Sequence, residues 1–402
     1  MTVQSTTETT SKRLEALLSE SVDAAIEREQ SAFDQLASPF ERRLVLFGAG
    51  GFGRYTLARA RRVGIEPIAF ADNGFKLWGQ SLDGIRVLSP ENAAEEFGQH
   101  AAFVVTIWNG QGPDRMADRI RQLRQLGCQK VIPAGFLFWK YPKSFLPYYG
   151  LDLPHKLLRR TDEVRQVFEF WNDEASRSEY VAQIAFRLFL NYDGLGSPGP
   201  EEPYFPPDLF RLSSHEVLVD CGAFDGDTIR GFVRLKGADF TRILAFEPDP
   251  LNWPKLQQTI SALSSIVGEK ITCFQQAVVA GPGTVPFNST GTNLSTIGSG
   301  TLSVECVSLD QTLAQTPECQ KPTMIKFDIE GAELEALSGV RNTIGRNLPL
   351  LAVSAYHRQS HLWEIPLAIA AASQKYRYFL RPHGVEGWDL VCYAIPPERS
   401  LS

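Results

Sequence analysis

Over the first forty residues, apolar side chains recur at helical spacing: Leu14, Leu17, Leu18, Val22, Ala25, Ile26, Phe33 and Leu36, with Ser38-Pro39 ending the run. A period near 3.6 with polar residues between predicts one amphipathic helix, whose stripe suits packing on its own domain or, in a homodimer, on a second copy. From Arg43 the pattern changes to short apolar runs separated by glycine turns and helical text. It predicts strand 44–47, a helix from about 54 to 62, strand 68–71, a helix opened by Ser89-Pro90-Glu91, strand 103–106, helix 115–126 and strand 130–132. Strands this continuously hydrophobic belong to a parallel sheet covered on both faces.

Beyond Pro133 the text turns aromatic and proline-punctuated, then helical through Val164, Val167, Phe168, Trp171, Tyr180, Val181, Ile184 and Leu188. The Gly/Pro-rich stretch 191–208 marks a boundary or mobile loop. A second alternating series follows, with strands at 217–219, 243–246, 272–275, 324–327 and 350–353, and a closing hairpin of strands 376–381 and 390–395. The fold class is therefore α/β with two Rossmann-like units. We expect an N-terminal helix over 1–40, a first Rossmann-like domain over 41–135, a helical connector over 136–203 and a second α/β domain over 204–402.

Composition narrows the functional classes. At 402 residues, 43% hydrophobic and 21% charged, the chain is globular and too long for one core. A formal charge of -6 without a Lys/Arg stripe argues against nucleic acid as a partner. Six scattered cysteines without CxxC spacing suit reduced thiols rather than structural zinc. No apolar leader and no run near ~18 apolar residues is present, so the expectation is a soluble, cytoplasmic protein without a membrane span.

The candidate chemistry gathers at predicted strand ends of the second series. Asp220 closes one strand, and Gly222 and Gly226, with Asp225 between them, bracket the turn into a helix opened by Thr228, whose N-terminal amides favour an anion. Glu247 closes the next strand 21 residues beyond Gly226, near the spacing of an acidic residue that binds ribose hydroxyls. Pro248 and Asp249 extend that tip, and Ala277 with Val278 offers a place for an adenine ring; an ordinary turn and core account for the same residues. Asp328, Glu330 and Glu333 follow a later strand and would orient substrate, face the cofactor or hold a divalent cation. Tyr356 and His357 end the next one, where His357 is placed to take a proton near neutral pH; His361, His383 and Trp363 are weaker pocket candidates.

The motifs DCGAFDGDT, AFEPDP, IKFDIEGAELEAL and SAYHR, in this order, resemble the FkbM family of S-adenosylmethionine-dependent methyltransferases over roughly 216–395. The resemblance implies a class I methyltransferase fold closed by a β-hairpin, a cofactor loop formed by Asp220, Gly222 and Gly226, ribose held by Glu247, and Asp328 with Glu330 facing the transfer centre. It further implies O-methylation of a sugar, glycan or glycosylated metabolite. The turn departs from the broader methyltransferase pattern of three alternating glycines by carrying Asp225.

In the first unit, Gly48, Gly50 and Gly53 with Asp72, 19 residues after Gly53, form a GxGxxG plus acid arrangement in strand, turn and helix context. GAGGFGRYTL and the text after it are similar to nucleotide-sugar-binding domains of sugar acyltransferases, which implies a nucleotide-sugar ligand; the motif by itself equally suits NAD. An NAD-dependent sugar oxidoreductase or epimerase and a non-catalytic nucleotide-binding module are therefore the alternative functions.

Overall fold

Leu18-Ser19-Glu20-Ser21 breaks the N-terminal apolar stripe. The computed structural model, which describes residues 3–110, 112–199, 202–292, 295–298, 300–316, 319 and 321–401, has helices Val3–Leu18 and Val22–Ala37 where the periodicity predicted one. The Ser21 hydroxyl accepts a hydrogen bond from Ala24 N (3.2 Å) and caps the second helix. A capping serine offers the backbone a better partner than helix continuation does, which a count of apolar positions does not register.

The chain divides into two units, and neither is contiguous in sequence: Met1–Asp162, Ser178–Ser197 and Gly384–Trp388 form the first, and Glu163–Arg177, Pro198–His383 and Asp389–Ser402 the second. The stretch expected as a connector, 136–203, is thus shared between them. Among the described residues, no helix is long and apolar enough to cross a membrane.

The first unit is built on β1 (Leu44–Phe47), β2 (Ala69–Ala71), β3 (Ser81–Leu82), β4 (Ile85–Leu88), β5 (Ala102–Val105) and β6 (Lys130–Pro133), in the order β3-β4-β2-β1-β5-β6. All neighbours are parallel except β3 and β4, a short hairpin absent from the sequence expectation. Alternate residues of β1 serve opposite faces. Leu44 and Leu46 pack with Phe33 and Ala37 of the second helix, and Val45 and Phe47 with Ala69 and Phe103. That helix therefore lays its apolar stripe on its own sheet.

The second unit contains β7 (Val217–Cys221), β8 (Arg242–Phe246), β9 (Ile271–Phe274), β10 (Ala277–Val278), β11 (Gly283–Asn288), β12 (Thr296–Ile297), β13 (Leu302–Val307), β14 (Met324–Phe327), β15 (Leu350–Ser354), β16 (Arg377–Pro382) and β17 (Leu390–Ile395). Its main sheet runs β16-β17-β15-β14-β7-β8-β9, with β17 antiparallel to both neighbours as the predicted closing hairpin requires. The order reverses between β7 and β14, and in open α/β sheets ligands bind at the strand carboxyl ends at such a point. A separate sheet, β10-β13-β11-β12, has no counterpart in the sequence expectation. β10 and β12 are only two residues long, and β11 and β13 are largely exposed, so they lack the apolar runs that marked the others.

The segment 163–177 covers the edge of β16 within this unit. Asn172 N donates to Tyr378 O (2.9 Å) and its side chain accepts from Tyr378 N (2.7 Å). Ser176 Oγ accepts from Leu380 N (2.9 Å), and Asp173 pairs with Arg381 at 2.6 Å. An edge strand left unpaired is a template for aggregation, and here polar side chains satisfy it.

Candidate active site

At the end of β7 the chain turns through Gly222 with φ +83°, where a Cβ would come within 1.9 Å of the Asp328 carbonyl oxygen. Only glycine lets this turn close onto the end of β14. Gly226, at φ +85°, precedes helix Asp227–Lys236. Between them Asp225 pairs with Arg230 (2.9 Å), and its carbonyl accepts from Thr259 Oγ1 (2.6 Å). Thr228 N donates to the Asp227 carboxylate (2.7 Å), so part of this helix start is already served by its own acid.

Glu247 follows β8 and folds back onto the turn. One carboxylate oxygen accepts from Phe224 N (2.8 Å) and the other from Asp249 N (2.8 Å), the latter across Pro248. Burial pushes its pKa up to about 7 against those hydrogen bonds. Asp249 serves the loop after β11: it accepts from Leu251 N (2.8 Å), Ser289 Oγ (2.6 Å), Gly291 N (3.0 Å) and Ser295 Oγ. Burial would raise its pKa, but these donors outweigh burial and lower it. Ala277 begins β10, is buried, and pairs with Cys306 of β13.

Asp220 is fully buried and faces Lys326 of β14 at 2.9 Å, the register partner opposite it in the sheet. Burial raises Asp220 to about 6 although Lys326 pulls it down. For Lys326, burial opposes the charge, and Asp220, Asp328 and Asp227 together override it and keep the ammonium well protonated. Lys326 Nζ also donates to Gly222 O (2.7 Å), tying β14 to the glycine turn. Sequence reasoning passed over Lys326; a lysine inside an apolar strand, which must have a buried partner, was the available signal.

Asp328, Glu330 and His357 come together at the ends of β14 and β15. His357 Nε2 lies 3.5 Å from Asp328 and 3.7 Å from Glu330, and Nδ1 lies 2.8 Å from Glu333. The second oxygen of Glu333 is 3.2 Å from His361 Nδ1. Tyr204 donates to Asp328 Oδ2 at 2.8 Å. Burial would lower the His357 pKa, but Glu333, Glu330 and Asp328 raise it to about 10. This corrects the expectation of a histidine titrating near neutrality: three surrounding carboxylates hold it as imidazolium at pH 7. Burial, opposed by His357, pushes Glu330 up to about 8. Glu333 goes the other way, where burial is overridden by His357 and His361 and its pKa falls to about 2. His383 bonds Tyr393 Oη (2.6 Å) instead, and burial lowers it to about 4. Trp363 is buried in helix His361–Ala372. Among the described residues, no cluster of three or more His, Cys, Asp or Glu side chains is arranged to hold a metal ion.

In the first unit, Gly48 (φ +119°) and Gly53 are fixed by packing, since a Cβ would fall 2.7 Å from Thr106 O and 1.9 Å from Gly48 O respectively. Gly50 and Gly51 face open space. They border a cavity of about 440 Å³ together with Asp72, Trp108 and Asn109. Asp72 accepts from Ala49 N (2.7 Å) and Gly74 N (2.7 Å), the same double grip on a glycine turn that Glu247 makes in the second unit.

Residues 220–380 match the methyltransferase FkbM domain. Over 148 residues the chain is 30% identical to hexuronic acid methyltransferase AglP of Haloferax volcanii, a match taking in 34% of this chain and 57% of that relative's length. The fold is also that of a crystallised methyltransferase FkbM from Methylobacillus flagellatus KT, with TM-score 0.75 and 23% identity over 98% of this chain and 100% of that one. With its sheet order, glycine turn and acidic strand ends in place, the second unit is similar over residues 220–380 to the methyltransferase FkbM domain.

Proposed function

We propose that the second unit transfers a methyl group from S-adenosylmethionine to a hydroxyl of a sugar, glycan or glycosylated metabolite. The observation that carries this reading is the placement of His357 among Glu333, Asp328 and Glu330, on the sheet edge that also presents the glycine turn and Glu247. The name of the Haloferax relative supports a sugar acceptor. The residues fit the cofactor: Asp328 Oδ1 is buried, accepts no hydrogen bond among the described residues and has only the ion-pair contact with His357 Nε2 at 3.5 Å, which leaves it able to accept from a ligand, and Glu247 stands where ribose hydroxyls are bound in such folds. S-adenosylmethionine, when bound, supplies the electrophilic methyl group. The turn Gly222–Gly226 and Glu247 would hold it.

The chain's own work is alignment and proton handling. Asp328 and Glu330 orient the acceptor hydroxyl, and His357 receives its proton at Nε2 while Glu333 fixes the ring through Nδ1. Because His357 is held as imidazolium at neutral pH, the active base is its minor neutral form. Turnover should rise about tenfold per pH unit below the His357 pKa of about 10. Calorimetric titration with S-adenosylmethionine tests the assignment, with binding in the wild type, loss in Glu247→Ala and retention in Asp72→Ala as the expected result. His357→Ala should keep that affinity within about twofold and lose roughly 10²–10⁴ in turnover. Full turnover in His357→Ala removes the residue from the reaction.

For the first unit we propose nucleotide or nucleotide-sugar binding at Gly48, Gly50, Gly53 and Asp72. It is supported by the room in front of Gly50 and Gly51, which no packing demands and which lets a phosphate approach the backbone. Titration with NAD and with a uridine diphosphate sugar, using Asp72→Ala as control, separates the two ligand classes. A cytoplasmic site of action is part of the same proposal.

A further inference from the structure

Beside Glu330, and apart from the glycine turn, the second unit holds a cavity of about 520 Å³ bordered by Val285, Ile297, Cys306, Glu330, Glu335 and Arg358. Its size lies within the roughly 300–1,000 Å³ of small-molecule sites. One wall comes from the small sheet, where Ile297 of β12 lies opposite Phe287 of β11. This wall is apolar and matches the C–H face of a pyranose ring. Glu330 also lies 3.7 Å from His357 Nε2, so the cavity adjoins the proposed transfer centre.

Arg358 is the feature that assigns a ligand class. It directly follows His357, is exposed at the cavity, and stands over Gly331, whose Cβ would lie 3.2 Å from its Nε. Gly331 itself has φ +102°, a conformation that suits glycine. Glu330 and Glu335 border the same cavity, yet the guanidinium forms no ion pair or hydrogen bond among the described residues. Glu330 has His357 Nε2 at 3.7 Å and makes no ion pair with the guanidinium among the described residues. An arginine presents a planar fork of donors matched to carboxylate and phosphate oxygens, and here that fork is turned over to the cavity without a protein acceptor.

We infer that this cavity seats the methyl acceptor, and that the acceptor is an anionic sugar whose carboxylate or phosphate is bound by Arg358. The inference rests on the methyltransferase reading and narrows its substrate class. Selection works through the charge at the mouth: a neutral hexose fills the apolar wall but leaves the guanidinium without an acceptor.

The experiment uses the full-length protein saturated with S-adenosylhomocysteine, in a buffer without phosphate or sulfate. Dissociation constants are measured for glucuronate, glucose 6-phosphate and methyl glucoside, in the wild type, Arg358→Gln and Arg358→Lys. The expected result is that one anionic sugar binds at least about tenfold more tightly than methyl glucoside, a charge-assisted contact being worth about that factor. The preference is lost in Arg358→Gln and partly kept in Arg358→Lys, and whichever of glucuronate or the phosphate is favoured names the anion. Equal binding of the three sugars, no binding of either anionic one, or a preference that survives in Arg358→Gln overturns the inference. S-adenosylhomocysteine affinity is measured first in each variant. Its absence in the wild type brings down the methyltransferase reading, whereas its presence without sugar discrimination brings down the acceptor assignment alone.

Discussion

Glu333 sets the protonation of His357 more than any other residue. It is fully buried, lies 2.8 Å from Nδ1, and is the first carboxylate to raise the ring's pKa. The sign of its removal follows: without the anion the imidazolium is less favoured, so the pKa of about 10 falls toward the ordinary histidine value. In Glu333→Gln the amide oxygen can still accept from Nδ1, and the rising limb of the turnover–pH profile should move to lower pH. An unmoved limb shows that Glu333 does not govern the proton. The residue types at strand ends were legible in the sequence: Glu247, Asp328, Glu330 and His357 each follow an apolar run. Lys326 and Tyr204 were not, because their roles depend on partners set by sheet register. Asp220 and Lys326 lie on separate strands and meet only when β7 pairs with β14.

Glycines with the same appearance in the sequence do different jobs once elements pack. Gly222 stands at φ +83° against the backbone of β14, whereas Gly50 has neither a strained φ nor a neighbour within 4 Å. Gly222→Ala should therefore lower unfolding stability by more than about 2 kcal/mol, from the strained φ and the clash together. Gly50→Ala should stay within about 0.5 kcal/mol of wild type. Urea denaturation of both variants measures the contrast, and equal effects would refute this division between fold and ligand. Long apolar strands and the closing hairpin were readable from period alone. The small sheet and the split N-terminal helix were not: the first has too few buried positions to show a pattern, and the second turns on a single serine cap.

Neither unit can be cut out at one point in the chain. The boundary expected near Tyr204 would remove Asn172, Asp173 and Ser176, the residues that satisfy the edge of β16. A fragment beginning at Tyr204 should consequently self-associate through that exposed edge, as size-exclusion chromatography would show against the full-length protein. A monodisperse, folded fragment would mean that 163–177 is dispensable. The short segment Gly384–Trp388 does the corresponding service in the first unit. Glu386 accepts from Met116 N and pairs with the buried Arg119 at 2.7 Å, while its carbonyl accepts from Trp108 Nε1 at 3.0 Å. The two ion-pair partners are separated by 267 residues, which a ribosome takes roughly 13–53 s to traverse at about 5–20 residues per second. Through that interval the helix Met116–Gln125 carries Arg119 without this counter-charge. The first unit, although most of it is made early, is therefore completed only once Glu386 has been made.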